Sequence, residues 1–386
     1  MRVETLIVGA GPAGLAVGAC LRRAGRELAI VEREQQVGSA WRRHYERLHL
    51  HTVKRHSALP FRPFPADDPQ YVPRARVVAY LEDYARAFEL TPELGVNVER
   101  AEPLPEGGWR VETSAGAREC RFLVIATGYS NAPHRPQLAG RERFGGTLLH
   151  SAEYKSGAPF AGRRVLVVGI GNTGGEIAID LVEHGAAAVE LSVRGPVHVV
   201  RRDPFGIPAQ LLALATAWIP VAARDRMFRA LVKMTVGDLS RWGLRAPDEG
   251  IVAQLERTGR IPLIDVGTIE LLKTGKIVVR PDVRELTAGG ARFVDDSAAD
   301  YDAIILATGY RPLLEELLPR AAEVLDERGR PRKSGYESAL PGLFFVGFDV
   351  PITGMLREIS REARRVAAAI VNDTSAPDRA RPPPHS

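Results

Sequence analysis

A chain of 386 residues is long for one domain and points to two, each able to bury its own core. Its hydrophobic share of 45% is ordinary for a globular protein, and a net charge of +5 spread along the chain, without a basic patch interleaved with aromatics, argues against nucleic acid as a partner. Cys20 and Cys120 lie far apart and outside any Cys-x-x-Cys, which excludes a thiolate metal cluster and a dithiol redox pair of the usual spacing.

The chain opens on an apolar strand over residues 3–8, of the continuous kind found where both faces of a parallel sheet are covered. No charged-then-apolar leader precedes it, so a cytoplasmic location is expected. The turn "GAGPAG", residues 9–14, leads into a helix over about 12–24 and a strand over 27–31. Gly9 permits the tight turn, Gly11 lets a pyrophosphate approach the backbone, and Gly14 lets the helix pack against the strand. The helix N-terminus then offers free N–H groups to the phosphates. An acid about 20 residues further on binds the ribose in this motif, and Glu32 stands there.

A helix within residues 72–90 carries Val77, Val78, Leu81, Tyr84, Ala85 and Phe88 on one face, which reads as core packing. A small β-meander follows, and its last strand runs into "FLVIATGY", residues 122–129, ending at Ala126-Thr127-Gly128. A second strand, "AIILATGYRP", ends in the same way at Thr308-Gly309. Both glycines are expected to pass close to a bound nucleotide. The stretch "FGGTLLHSAEYK", residues 144–155, has neither helical nor strand periodicity and reads as a hinge.

The strand "RRVLVVG" then enters "GIGNTG", residues 169–174, which repeats the first turn with Gly169, Gly171 and Gly174 in register. An amphipathic helix runs to Gly185, and the next strand ends in Arg194 rather than an acid. A carboxylate there would repel a 2′-phosphate, whereas an arginine can hold one bidentately. The first fold is therefore expected to bind an unphosphorylated adenosine and the second NADPH. Residues 206–250 form an extra helical segment, and its charge-free apolar run, 211–223, is too short to span a bilayer and contains Pro220. Lining a substrate channel is the expected use, with a homodimer contact as another and no stable membrane insertion. The strand "GLFFVG" and a helix over about 354–372 return to the first fold, and a polar, proline-rich tail follows.

Phe144, Gly146, His150 and Tyr154 match the pattern F-x-G-x-x-x-H-x-x-x-Y. With "GSAWRRHYERLHLHTVKRHSALPF", "SVRGPVHVVRRD", "LSRWGLRAPDEG" and "RIPLIDVGTIELLKTGKIVV", the chain resembles the class B flavin-dependent monooxygenases over nearly its whole length. Within them it is most similar to the plant YUCCA-type branch, which converts an indole pyruvate to indole acetate. The resemblance implies an α/β protein of two Rossmann-like dinucleotide-binding domains, one inserted into the other. Residues 1–157 and 301–375 would form an FAD domain, 158–300 an NADPH domain with the insertion 206–250, and 376–386 a disordered tail.

The resemblance implies FAD and NADPH as cofactors, and O2 and a small molecule as substrates. Hydride would pass from NADPH to FAD, and oxygen would react through a C4a-(hydro)peroxyflavin. Pro12, Ala13, Arg33, Trp41, Arg42, Asn172 and Thr173 join the glycines, Glu32, Arg194 and the two Ala-Thr-Gly crossings as candidate cofactor-binding residues. Trp41 resembles the residue packed beside the flavin. His51 follows Tyr45-x-x-Leu48, where many members carry an Asn, and is the candidate catalytic residue. Tyr154 stands where the Baeyer–Villiger branch has Trp, yet ester formation from a ketone remains the alternative chemistry. A flavin-dependent NADPH reductase or electron-transfer protein is the alternative from another class. The disulfide reductases of this architecture need a redox cysteine pair, and the ferredoxin reductases lack the 144–155 fingerprint.

Overall fold

The computed structural model describes residues 2–373 and contains two parallel-stranded cores. The tail expected over 376–386 lies outside these residues. In the first domain the strand Arg2–Val8 is central, with Leu28–Glu32 parallel on one side and Arg118–Ile125 parallel on the other. Its side chains alternate between two cores. Ile7 meets the helices Pro12–Arg23, Arg74–Ala87 and Met355–Asn372, while Leu6 and Val8 meet Trp109, Leu343 and Phe345 on the opposite face. The helix Pro12–Arg23 is buried from Ala13 to Leu21 because it lies between the sheet and the helix Met355–Asn372. The returning strand Leu343–Phe345 pairs parallel with Arg118–Ile125.

The second domain has five parallel strands in the order Ile277–Arg280, Ala188–Ser192, Arg164–Val168, Ala303–Leu306 and Thr147–His150. This corrects the expected boundaries of 158 and 300. The stretch 144–155 is not an irregular hinge, because its residues Thr147–His150 form the edge strand of the second sheet. Their ladder partners, Ala303–Leu306, lie far down the chain, and four residues are too few to display a period of two. The two Ala-Thr-Gly crossings are thus the exits of two equivalent strands, one in each sheet. A short antiparallel ribbon, Ala132–Pro133 with Tyr310–Arg311, ties the two exits together.

The fingerprint residues fasten this edge to its domain. A Cβ on Gly146 would lie 2.6 Å from the Phe144 ring and 2.7 Å from the Asp302 carbonyl, so only glycine lets the ring fold back. His150 is fully buried, its Nδ1 accepts from the Ala152 N–H (3.1 Å), and its Nε2 donates to the Gly309 carbonyl (3.2 Å). Burial, together with Arg135, holds this imidazole below the ordinary histidine range, and it is neutral. The Tyr154 hydroxyl donates to Asp180 Oδ2 (2.6 Å) on the helix Asn172–Glu183.

The insertion supplies the helices Ala209–Ala215 and Val221–Thr235, followed by Ile251–Thr258. Phe228, Ile251 and Val252 form a small core with Val200 and with Ile352 of the first domain. No helix among the described residues is long and apolar enough to cross a membrane.

Candidate active site

The two glycine turns have the same geometry. Gly9 and Gly169 both have φ +109°, and a Cβ on either would stand 2.6 Å from the carbonyl of Ala126 or Ala307 on the neighbouring crossing. A Cβ on Gly14 or Gly174 would run into the carbonyl of Gly9 or Gly169. These glycines are required by the protein's own packing. Gly11 and Gly171 differ, since a Cβ there would meet no protein atom within 4 Å. Gly128 and Gly309, both at φ +83°, face equally open space. Each cradle therefore keeps free the room that a pyrophosphate on a helix N-terminus needs.

The first cradle opens into a cavity of about 310 Å³. Gly9, Gly11, Pro12, Ala13, Glu32, Arg33, Trp41, Ala126, Thr127 and Gly128 line it, as expected of a nucleotide site. Glu32 Oε2 accepts from the Ala10 N–H (2.7 Å) and Oε1 from the Glu34 N–H (3.0 Å), which fixes the carboxylate at the rim. The Thr127 hydroxyl is buried without a partner among the described residues, a donor available to a ligand. Gly14 belongs to the packing of the turn rather than to the lining. Arg42 is corrected: its guanidinium is tied to Glu82 and to the Val37 carbonyl (3.1 Å), and its neighbour Arg43 lines the cavity instead. His44, Asn97, Asn131 and Met355 also line it and carried no motif in the sequence. Burial, reinforced by Lys155 and Arg43, pushes His44 down to about 4, so it is neutral.

At the second cradle Asn172 Oδ1 accepts from the Ile264 N–H (2.7 Å), so its carboxamide holds the strand Leu263–Asp265. Thr173 approaches the buried Tyr45 of the first domain. Thr308 donates to the His134 carbonyl, and the Gly309 carbonyl accepts from the His134 N–H (2.8 Å) as well as from His150. These two stabilise the crossing through protein bonds. Arg194 is exposed and forms no ion pair among the described residues. Desolvation lowers the His134 pKa, and the nearby Arg311 and Arg194 lower it further, which groups these three basic residues beside the second cradle.

A second chamber, about 270 Å³, adjoins the first cavity and shares Trp41, Met355 and Leu356 with it. Its walls are aliphatic and aromatic: Leu48, Leu50, Leu212, Phe228, Leu231, Ile251 and Ile352 are typical. Gln210 lines it too, but its Oε1 accepts from the Val53 N–H (2.8 Å) and its Nε2 donates to the Thr353 carbonyl (2.7 Å). This side chain of the insertion thereby bolts two segments of the first domain together. Among the described residues no lysine or arginine lines the chamber. His49 and His51 stand at one end, where a polar vestibule lined by Arg47, Tyr71, Glu176 and Arg202 begins. Sequence reasoning missed Glu176. The available signal was an acid on the buried face of an otherwise apolar helix, repeated one turn later at Asp180.

Glu362 supports the first cavity from behind. It is wholly buried, and its Oε2 accepts from the N–H of Gly347, a lining residue (2.7 Å). Burial pushes this carboxyl up to about 7. An unfolded-chain glutamate titrates near pH 4.3, so the folded state binds the extra proton between these values. The stability contributed by the site is therefore full below about pH 4.3 and is lost as pH rises towards 7. Glu362→Gln keeps an acceptor for Gly347 and cannot ionise. Its stability relative to wild type, read by urea denaturation, is expected to rise between about pH 4.3 and 7 and to level off above. A difference independent of pH would refute this assignment.

Residues 6–204 match the family described as pyridine nucleotide-disulphide oxidoreductase. The chain nevertheless lacks that chemistry's dithiol: Cys20 and Cys120 are buried in cores on opposite faces of the first sheet, with thiols pushed up by burial to about 11 and about 12. It is 41% identical to the indole-3-pyruvate monooxygenase YUCCA1 of Oryza sativa subsp. japonica, covering 89% of this chain and 86% of that protein. It is 38% identical to the indole-3-pyruvate monooxygenase YUCCA6 of Arabidopsis thaliana, covering 95% of this chain and 89% of that one. In fold it is similar to a flavin-containing monooxygenase from Stenotrophomonas maltophilia, with a TM-score of 0.70 and 24% identity over 96% of this chain and 98% of that chain. Two intact dinucleotide cradles, an adjoining apolar chamber and this degree of identity lead to one assignment: the chain belongs to the class B flavin-dependent monooxygenases, enzymes that use FAD and NADPH.

Proposed function

We propose that the protein is an NADPH- and O2-dependent monooxygenase that oxygenates a small aromatic carbonyl compound, in a biosynthetic tailoring role. The observation that carries this reading is the apolar chamber sharing Trp41, Met355 and Leu356 with the first nucleotide cavity. When bound, FAD supplies the oxygen-activating chemistry and NADPH the hydride. The chain's own part is to position and to keep dry. Gly9, Gly11, Glu32 and the Ala126–Gly128 crossing would hold FAD, and Gly169, Gly171 and Arg194 would hold NADPH. The aliphatic walls exclude water that would divert the oxidant to peroxide. His51 provides a group able to hold or deliver a proton at the end of the chamber.

Two carbonyl classes fit. The relatives' names point to an aromatic 2-oxo acid such as indole-3-pyruvate, which would lose CO2 and gain one oxygen atom. The lack of lysine or arginine on the lining among the described residues favours a neutral ketone, converted to an ester. The deciding experiment is NADPH oxidation by the FAD-loaded enzyme with indole-3-pyruvate, an aromatic ketone, an amine and a thioether, with product masses under 18O2. Label incorporated into a carbonyl-derived product is expected. Faster turnover of the amine or thioether, or NADPH oxidation yielding only peroxide with every compound, would refute the reading.

A further inference from the structure

Each oxygenation cycle consumes one proton: NADPH, H+, O2 and substrate become NADP+, oxygenated product and water. That proton must reach a chamber whose walls are mainly apolar. His51 lines both the chamber and the polar vestibule. On the vestibule side its Nε2 lies 2.7 Å from Oε1 of Glu176, which stands on the helix Asn172–Glu183 of the other domain. The two groups are close but misaligned. Neither His51 nitrogen nor this Glu176 oxygen makes a well-directed hydrogen bond, though all three atoms are buried.

We propose that His51 and Glu176 form a cross-domain proton relay between the vestibule and the oxygenation chamber, with Glu176 as the positioning residue and His51 as the donor. The proposal rests on the monooxygenase reading. The other charges around the pair are already engaged. Arg47 is paired with Glu183 (2.7 Å), and Arg202 with Asp203 (2.9 Å) while it stacks over the Tyr71 ring (3.9 Å). His49 Nδ1 bonds the Arg47 carbonyl (2.6 Å), and burial beside Glu176 keeps the Tyr45 hydroxyl protonated. Glu176 itself is 3% exposed and makes no ion pair with any described lysine or arginine. Glu176 also hydrogen-bonds the Tyr45 hydroxyl and lies within electrostatic reach of His44 and Arg47, and a buried carboxylate held in this way fixes the orientation of the His51 ring facing it. A proton reaching Glu176 from the vestibule passes to Nε2, while Nδ1, the other ring nitrogen, gives its proton to the O2-derived oxygen atom that leaves as water; a flip of the ring then returns the imidazole to its starting tautomer.

The couple also crosses the domain seam, so it exists only while the two domains keep this approach.

The experiment has two arms. In flavin-free protein, the 15N shifts of the His51 ring are compared in histidine-labelled wild type, Glu176→Gln and Glu176→Asp. A carboxylate this close holds the Nε2 proton, so the Nε2 shift is expected to move in Glu176→Gln and to stay near the wild-type value in Glu176→Asp. In FAD-loaded protein, the pH profile of NADPH oxidation and peroxide release without added substrate is compared for the same variants. Its alkaline limb is expected to move to lower pH in Glu176→Gln and to be largely rescued in Glu176→Asp. An unchanged His51 spectrum, or an altered spectrum with an unchanged pH profile, would overturn the relay. Absence of NADPH oxidation in wild type would instead count against the monooxygenase reading, while the flavin-free arm would still decide whether the pair is coupled.

Discussion

Gly11→Val is expected to give a folded protein that purifies colourless and releases no FAD on denaturation. The expectation follows from what a side chain would meet. At Gly11 a Cβ encounters no protein atom within 4 Å, and the backbone, at φ −83° and ψ −173°, suits a β-branched residue. Folding therefore has no reason to suffer. The space that the valine would fill is the one a pyrophosphate must occupy to reach the N-terminus of the helix Pro12–Arg23. Gly14→Ala is the contrasting variant, because its Cβ collides with the Gly9 carbonyl and should cost stability as well as flavin. Circular dichroism and thermal unfolding separate the two outcomes. A yellow Gly11→Val protein of wild-type FAD content would show that no pyrophosphate crosses this glycine.

The second large effect is expected at Arg194. Arg194→Ala should weaken NADPH by roughly 10- to 150-fold, equivalent to about 1.5–3 kcal/mol for a charge-assisted contact, and leave NADH nearly unchanged. Arg194 is exposed and has no carboxylate partner among the described residues, so its charge is available, and Arg311 and His134 lie close by. Arg311→Ala should produce a smaller loss in the same direction. Titration of the FAD-loaded enzyme with each nucleotide, at fixed ionic strength, measures the effect. Equal losses for NADPH and NADH would assign the 2′-phosphate to other residues.

The features legible in the sequence were those that depend on neighbours along the chain. The turns at 9–14 and 169–174 each set a strand, three glycines and a helix within a few residues, and backbone geometry does the rest. Arg194 follows the same local logic, standing just past the strand Ala188–Ser192 that comes after the second turn. The fingerprint at 144–155 identified the family, but its physical task was hidden. His150 bonds Gly309, 159 residues away, and the strand Thr147–His150 exists only because Ala303–Leu306 lies beside it.

Tertiary structure alone decided the rest. Arg42 and Arg43 are adjacent, and which one faces the first cavity is set by the orientation of the short helix Ser39–Arg43 and by the position of Glu82. The chamber is assembled from segments around 48–52, 200–232, 251–264 and 350–356; the sequence pointed to the insertion as channel lining but not to the segments that meet it. His51 stood out in the sequence as the histidine that follows the Tyr45-x-x-Leu48 step, whereas the carboxylate facing it comes from the other domain. Local periodicity records which face of an element is buried. It carries no information about which distant element covers that face, and the chemistry of this site depends on that choice.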